Sequence, residues 1–180
     1  RVKTGVKNDG TFVARELEVL LDCGAFGDDS PGVLGFALLC GRGPYRFAHV
    51  RSHGQLVYTN KLRFGAFRGF GNPQVSFATE SQIDEIAARL AMDPIELRLK
   101  NIIRDDDVWF GGQVLHSNGL RECIEKARDA SGWRNGAPAP SSSGRRRALG
   151  FALAGQQSGL LGTGAIVRLL EDGTLVLNVG

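Results

Sequence analysis

The chain has 180 residues, 42% of them hydrophobic, and a net charge of +3, enough for one packed core or two small lobes. No apolar run approaches the roughly 20 residues of a membrane-spanning helix, and the dense basic run Arg145 to Arg147 stands in a loop without interleaved aromatics, which argues against a nucleic-acid surface. Cys23, Cys40 and Cys123 are far apart and form no CxxC pair, so free thiols in a reducing compartment are expected rather than a disulfide framework or a metal site.

Residues 1–22 read as a β-hairpin: Val2, Thr4 and Val6 alternate, Asn8-Asp9-Gly10 supplies turn chemistry, and an extended pattern resumes at Phe12. Residues 22–43 are Gly-rich and read as irregular, with a helical turn after Ser30-Pro31-Gly32. Residues 46–59 predict a strand broken at Gly54. Asn72 as cap and Pro73 then open a helix that places Val75, Ala78, Ile83, Ile86, Ala87 and Leu90 on one face.

Asp93-Pro94-Ile95-Glu96 is a capping box for a second helix, lined by Ile95, Leu99 and Ile102. A third runs from Leu120 to Ala130 with Ile124 and Ala127 inward, ended by Gly132. Residues 134–147 read as a flexible linker. Leu149–Leu153, Ala165–Leu170 and Thr174–Val179 read as strands, the last two around Glu171-Asp172-Gly173. The class expected is α+β, mixed strands with two to three amphipathic helices. Because the chain opens without Met and closes on an apolar strand, both ends read as internal to something longer.

The stretch from Tyr58 to Gln74 carries the chemistry. Gly65, Gly69 and Gly71 surround Phe67, Arg68 and Phe70 and feed into a helix start. Glycine lets backbone approach a ligand closely, N–H groups at a helix start favour anions, and arginine offers a fixed fork of donors. An ordinary surface turn with a solvated arginine and two core phenylalanines accounts for the same residues. The spacing GxxxGxG is not the dinucleotide fingerprint.

The string GAFRGFGNPQ closely resembles the AFRGFG-type loop of the molybdenum hydroxylases, the xanthine dehydrogenase and aldehyde oxidase family. The likeness runs on through DPIELRLKN, GLRECIEKARDASGW and GTGAIVRLLEDGTLVLNVG. It implies part of a molybdopterin-binding domain, with residues 1–133 in a first cofactor-binding lobe, 134–147 a linker and 148–180 the strands that begin a second lobe. It implies that Ala66, Phe67, Arg68 and Gly69 line the molybdenum cofactor and that Phe70 and Gln156 meet substrate, with no direct metal ligand. The family's glutamate base and its GGFGGK-type loop match nothing in the chain, so the chain alone is expected to be inactive.

The implied reaction oxidises an aldehyde or nitrogen heterocycle with water as oxygen source. The implied cofactor is a molybdopterin-type group, in its simple or cytosine-dinucleotide form. Iron–sulfur clusters and FAD would belong to partner subunits or domains, which with the remainder of the large subunit and a small-molecule substrate make up the expected partners. Neither nucleic acid nor membrane is among them. The compartment expected is the cytoplasm, with the periplasm as the other option. Two departures bear on substrate. The purine-binding arginine of xanthine enzymes falls on VLGFAL around Phe36, and their second ring-sandwiching phenylalanine falls near Gly155-Gln156. A purine is therefore not expected, and the pocket should be wider or more polar.

Other constellations weigh less. His49 and His53, four apart on an extended segment, stand roughly 13 Å from each other. Asp105-Asp106-Asp107 lacks the glycine and distal glutamate of a calcium loop. The glycines from Gly159 to Gly164 have no following Lys-Ser/Thr, and in the family they form a bend near the substrate channel, beside Gln156 and Gln157. Tyr45 and Tyr58 read as packing residues. A second reading of the whole chain is a non-catalytic domain whose Gly-rich loop binds an anion or a protein partner.

Overall fold

A computed structural model describes residues 1–133, 148–157 and 162–179. Val2–Val6 (β1) and Phe12–Gly24 (β2) form the expected antiparallel hairpin, Val2 opposite Leu17. Its turn follows from the sequence: the Asp9 carboxylate accepts the Thr11 N–H at 3.0 Å, and Gly10 takes a φ of 83°, as Asx-turn chemistry requires.

Where only a helical turn was expected, Ser30–Cys40 forms a full helix, α1. Pro31 favours its start. Val33, Leu34, Phe36, Ala37 and Cys40 are all buried, because α1 lies between β2, the next strand and the next helix. A helix covered on several sides lacks the one-sided stripe by which sequence reveals an amphipathic helix. His49–Tyr58 (β3) then pairs parallel to β2, from Ala14 opposite His49 to Asp22 opposite Val57. Strand, helix and parallel strand make a crossover unit, since parallel neighbours cannot be joined by a tight turn. β3 passes through Gly54 unbroken, contrary to expectation. A Cβ there would lie 2.8 Å from Leu34 and Leu38, so this glycine marks the close approach of α1.

Asn72–Arg89 (α2), Pro94–Asn101 (α3) and Leu120–Ser131 (α4) match the three expected helices, making four among the described residues. Two details differ. The cap of α2 is Gly71 rather than Asn72, and Ala78 and Ala127, expected to face inward, are exposed. Thr79 and Glu80 are buried on α2 beside Val75 and Ile83. Asp93 behaves as read, its carboxylate accepting the Ile95 and Glu96 N–H groups, and Gly132 ends α4 in a left-handed conformation. The fold class is α+β.

Two apolar clusters form. One gathers Leu17, Phe36, Ala37, Cys40 and Val75 between sheet, α1 and α2. The other joins Phe12, Tyr45, Ile83, Ile95, Leu97, Ile102 and Ile124 across hairpin and helices. Inside the second, Arg98 is fully buried and donates to Glu80 Oε2 at 2.9 Å and to Asp84 Oδ1 at 2.8 Å. Tyr45 donates its hydroxyl to Glu80 Oε1 at 2.6 Å. Burial and the Glu80 charge hold the Tyr45 phenol well above its usual pKa. Burial works against the Arg98 charge, yet Tyr45, Glu80 and Asp84 together outweigh it and raise its pKa. Tyr58, read as a packing residue, is instead 66% exposed.

Leu149–Leu153 is not a strand. Its Leu153 N–H donates to Glu80 Oε2 at 2.8 Å rather than to a ladder. Ala165–Leu169 (β4) and Leu175–Val179 (β5) pair antiparallel as expected, around a turn in which Asp172 accepts from Thr174. The 134–147 linker with its arginine run, and Gly159 of the distal glycine segment, lie outside the described residues.

Two expectations follow for stability and reactivity. Arg98→Ala strands the Glu80 carboxylate in the core and should cost about 3–5 kcal/mol, whereas Asp93→Ala removes only a cap, about 1 kcal/mol; urea unfolding of both variants compares them directly. Cys40 is buried and its thiol is pushed up to about 11 by burial, while Cys123 is exposed. At pH 8 and native conditions, iodoacetamide should therefore label Cys123 and spare Cys40 and Cys23, as peptide mass mapping would record.

Candidate functional site

The glycine loop is built from both of its ends. At its start, Asp22 at the end of β2 accepts from Thr59 Oγ1 at 2.7 Å and Lys61 Nζ at 2.8 Å. The bonds from Lys61, Thr59 and the Gly24 N–H hold its carboxyl down at about 2. The N-terminus of α1 then takes over: Ser30 Oγ donates to the Phe64 carbonyl at 2.7 Å, and Asp29 Oδ2 accepts the Ala66 N–H at 3.1 Å. A Cβ on Gly65 would collide with the Asp29 carboxylate, so only glycine lets the chain pass. Phe64 and Gly65 also rim a surface cavity of about 290 Å³ with Leu21, Asp22, Ser30, Val33 and Gln74.

At its far end the loop turns through three consecutive left-handed residues, Gly69 (φ 80°), Phe70 (φ 52°) and Gly71 (φ 89°). Asn72 N–H closes the turn onto the Gly69 carbonyl at 3.0 Å. A Cβ on Gly71 would stand 2.6 Å from the Val33 carbonyl oxygen. Glycine is therefore required twice over here, by conformation and by space.

The expected site residues divide into three groups. Phe67 and Arg68 are on the surface: Phe67 is 92% exposed and the Arg68 guanidinium stacks over its ring at 5.4 Å. Ala66 is exposed too, but its N–H is already taken by Asp29. Among the described residues no acceptor takes the N–H groups of Phe67, Arg68 or Gly69. Phe70 is half-buried, its ring edge-on to Phe36 with centroids 5.9 Å apart. Gln156 is brought to the same end: Asn72 Nδ2 donates to the Gly155 carbonyl at 3.0 Å and to Gln156 Oε1 at 3.3 Å.

His49 and His53 are exposed on β3, and among the described residues no cluster of His, Cys, Asp and Glu could hold a metal ion. Nor is any helix among them long and apolar enough to cross a membrane. Asp105 and Asp107 accept the Asn118 and Arg104 N–H groups, as turn residues do.

Four contributors escaped sequence reasoning. Asn72 looked like a cap. Trp109 packs against Gly155, where a Cβ would collide with the edge of its ring. Glu80 and Arg98 did leave a signal: each interrupts an apolar helical stripe, with opposite charge, on adjacent helices.

The described geometry is matched by known proteins. The family model for the molybdopterin cofactor-binding domain matches residues 1–102, more than half of the chain. This chain belongs to that family. The putative xanthine dehydrogenase molybdenum-binding subunit of Escherichia coli K12 is 35% identical over 98% of the chain and 24% of its own length. The nicotinate dehydrogenase large molybdopterin subunit of Eubacterium barkeri is 41% identical over 71% of the chain and 30% of its own length. The solved aldehyde oxidoreductase of Desulfovibrio gigas superposes with a TM-score of 0.66 at 34% identity, covering 72% of the chain and 14% of that structure. The chain thus spans less than a third of each of these molybdopterin relatives.

The loop's donors fit an anionic molybdenum–pterin group. The Phe67, Arg68 and Gly69 N–H groups have no acceptor among the described residues, and the Arg68 guanidinium stands on the same exposed loop. The geometry depends on Gly71. Gly71→Ala should lower stability by about 1–3 kcal/mol through left-handed strain and the Val33 contact, read as a fall in melting temperature; an unchanged melting temperature would refute the packing described.

Proposed function

We propose that this chain forms one wall of the cofactor cavity in a molybdenum hydroxylase that oxidises an aldehyde or a nitrogen heterocycle, with the added oxygen drawn from water. The observation that carries the proposal is an exposed loop, braced by α1 at one end and α2 at the other, whose Phe67, Arg68 and Gly69 N–H groups have no acceptor among the described residues and whose Arg68 guanidinium is on the surface. Fixed donors of this kind suit a negatively charged group, because they need no rearrangement when it arrives.

When bound, the molybdenum–pterin group supplies the two-electron redox chemistry. The residues of this chain supply placement. Arg68, Phe67 and Gly69 hold the anionic group, with the Ala66 methyl beside it. Phe70, backed by Phe36, offers an aromatic face to a flat substrate. Gln156 offers a polar contact from the other side. Phe36, where xanthine enzymes resemble this region but carry arginine, removes the cation that a purine would meet, so aldehydes and simple azaheterocycles are the favoured substrates. Nicotinate dehydrogenase and aldehyde oxidoreductase are among the relatives' names, and so are xanthine dehydrogenases.

General-base help would come from a glutamate elsewhere in a longer subunit, and the segment by itself would not turn over. Residues 1–133 would then belong to a first cofactor lobe, 134–147 to a connection and 148–180 to the start of a second. Iron–sulfur and flavin partners would carry the electrons away, in the cytoplasm, with the pterin in simple or cytosine-dinucleotide form. A second reading draws on the 92% exposure of Phe67 under Arg68: an aromatic–arginine pair of this kind also serves as a protein contact.

Arg68→Ala in the full-length subunit separates the two readings. The cofactor role predicts a fall of roughly tenfold or more in molybdenum content or activity with unchanged circular dichroism. Wild-type metal loading and turnover, together with lost partner association, would transfer the loop to the second reading.

A further inference from the structure

The segment Phe151–Gln157 is neither helix nor strand, yet it is fixed at two points of one helix. Leu153 N–H donates to Glu80 Oε2, and Asn72 Nδ2 donates to the Gly155 carbonyl and to Gln156 Oε1. Positions 72, 76 and 80 share one face of α2. Eight helical residues span roughly 12 Å, and the three residues from Leu153 to Gln156 reach at most roughly 11 Å, enough with the anchoring side chains to join both points. The segment runs antiparallel to the helix, lying over Ser76, Phe77 and Glu80 along a groove of about 380 Å³.

Both anchors are themselves oriented. Glu80 is held by Arg98 and Tyr45. Asn72 accepts from Ser76 Oγ at 2.8 Å through its Oδ1, which leaves its Nδ2 to face the segment. That orientation determines the Gln156 amide: its oxygen is occupied by Asn72, and its Nε2 finds no acceptor among the described residues.

We infer that Asn72 and Glu80 are positioning residues, a two-point clamp on α2 that holds Gln156 beside the glycine loop with its amide NH₂ presented outward as a donor. A substrate placed there would be recognised by an acceptor, a carbonyl oxygen or a ring nitrogen. The inference rests on the reading of Gln156 as a substrate contact. A merely structural Asn72 would have no reason to meet the Gln156 side chain, since the Gly155 carbonyl alone would anchor the backbone.

The test uses the full-length, molybdenum-loaded subunit with its partners. Asn72→Asp exchanges the donor for an acceptor and turns the Gln156 amide around. It should raise KM for an aldehyde or azaheterocycle substrate roughly tenfold, with kcat and molybdenum content near wild type. The double variant with Gln156→Ala should be no worse than Gln156→Ala alone. Hydrogen exchange gives a readout independent of turnover: Asn72→Ala should speed exchange of the 153–157 amides roughly tenfold while α2 stays protected.

Unchanged exchange in that segment would overturn the clamp. So would additive KM effects, or a molybdenum loss that parallels the activity loss. If exchange rises but Gln156→Ala leaves KM unchanged for every substrate oxidised, the substrate reading of Gln156 falls, and the positioning role falls with it.

Discussion

A buried charge, Arg98, organises this protein. Its guanidinium is shut away from water on α3 and meets Glu80 and Asp84, both on α2. A charge so placed is tolerable only when its partners are fixed and its donors are used. Arg98 therefore dictates how α2 and α3 cross, and Glu80 passes that order onward to Tyr45 and to Leu153. One carboxylate ties together the loop after α1, the helix pair and the distal segment. Apolar burial supplies most of the driving force, but it is non-directional; the ionic network chooses the arrangement.

The glycine loop depends on this framework indirectly. Phe67 and Arg68 at its tip are exposed, while Phe70 packs against Phe36. Their placement comes from Asp22, Asp29 and Ser30 before the loop and from Gly71 and Asn72 after it. Rigid elements thus hold a short exposed turn at both ends.

The sequence was most legible where local chemistry decides structure. The hairpin turn at Asp9-Gly10, the Asp93 cap and the Gly132 terminus were all readable because each concerns neighbours within four residues. The glycine loop itself was conspicuous, and its likeness to the AFRGFG-type loop led to the family. What stayed hidden was long-range. Helix α1 depends on burial from several sides, which erases periodicity, and the parallel pairing of β3 depends on a partner strand far away in the chain. Gly54 and Gly155 looked like breaks or gaps, and each is a place where another element presses in: Leu34 and Leu38 in one case, Trp109 in the other. Asn72 was legible as a polar residue at a helix start, but only the fold brings Gly155 and Gln156 within its reach.

Phe70 illustrates what the left-handed turn means for the future of this surface. Its φ of 52° sets the backbone from which the ring meets Phe36 edge-on, so the direction of that ring is constrained by the main chain before any side-chain packing occurs. A non-glycine residue pays about 1 kcal/mol or more for that conformation, and branching at Cβ makes it worse. Tyrosine or tryptophan could inherit the same direction, whereas valine, isoleucine or threonine would fight the backbone. The loop accordingly restricts chemical drift at this position to side chains unbranched at Cβ.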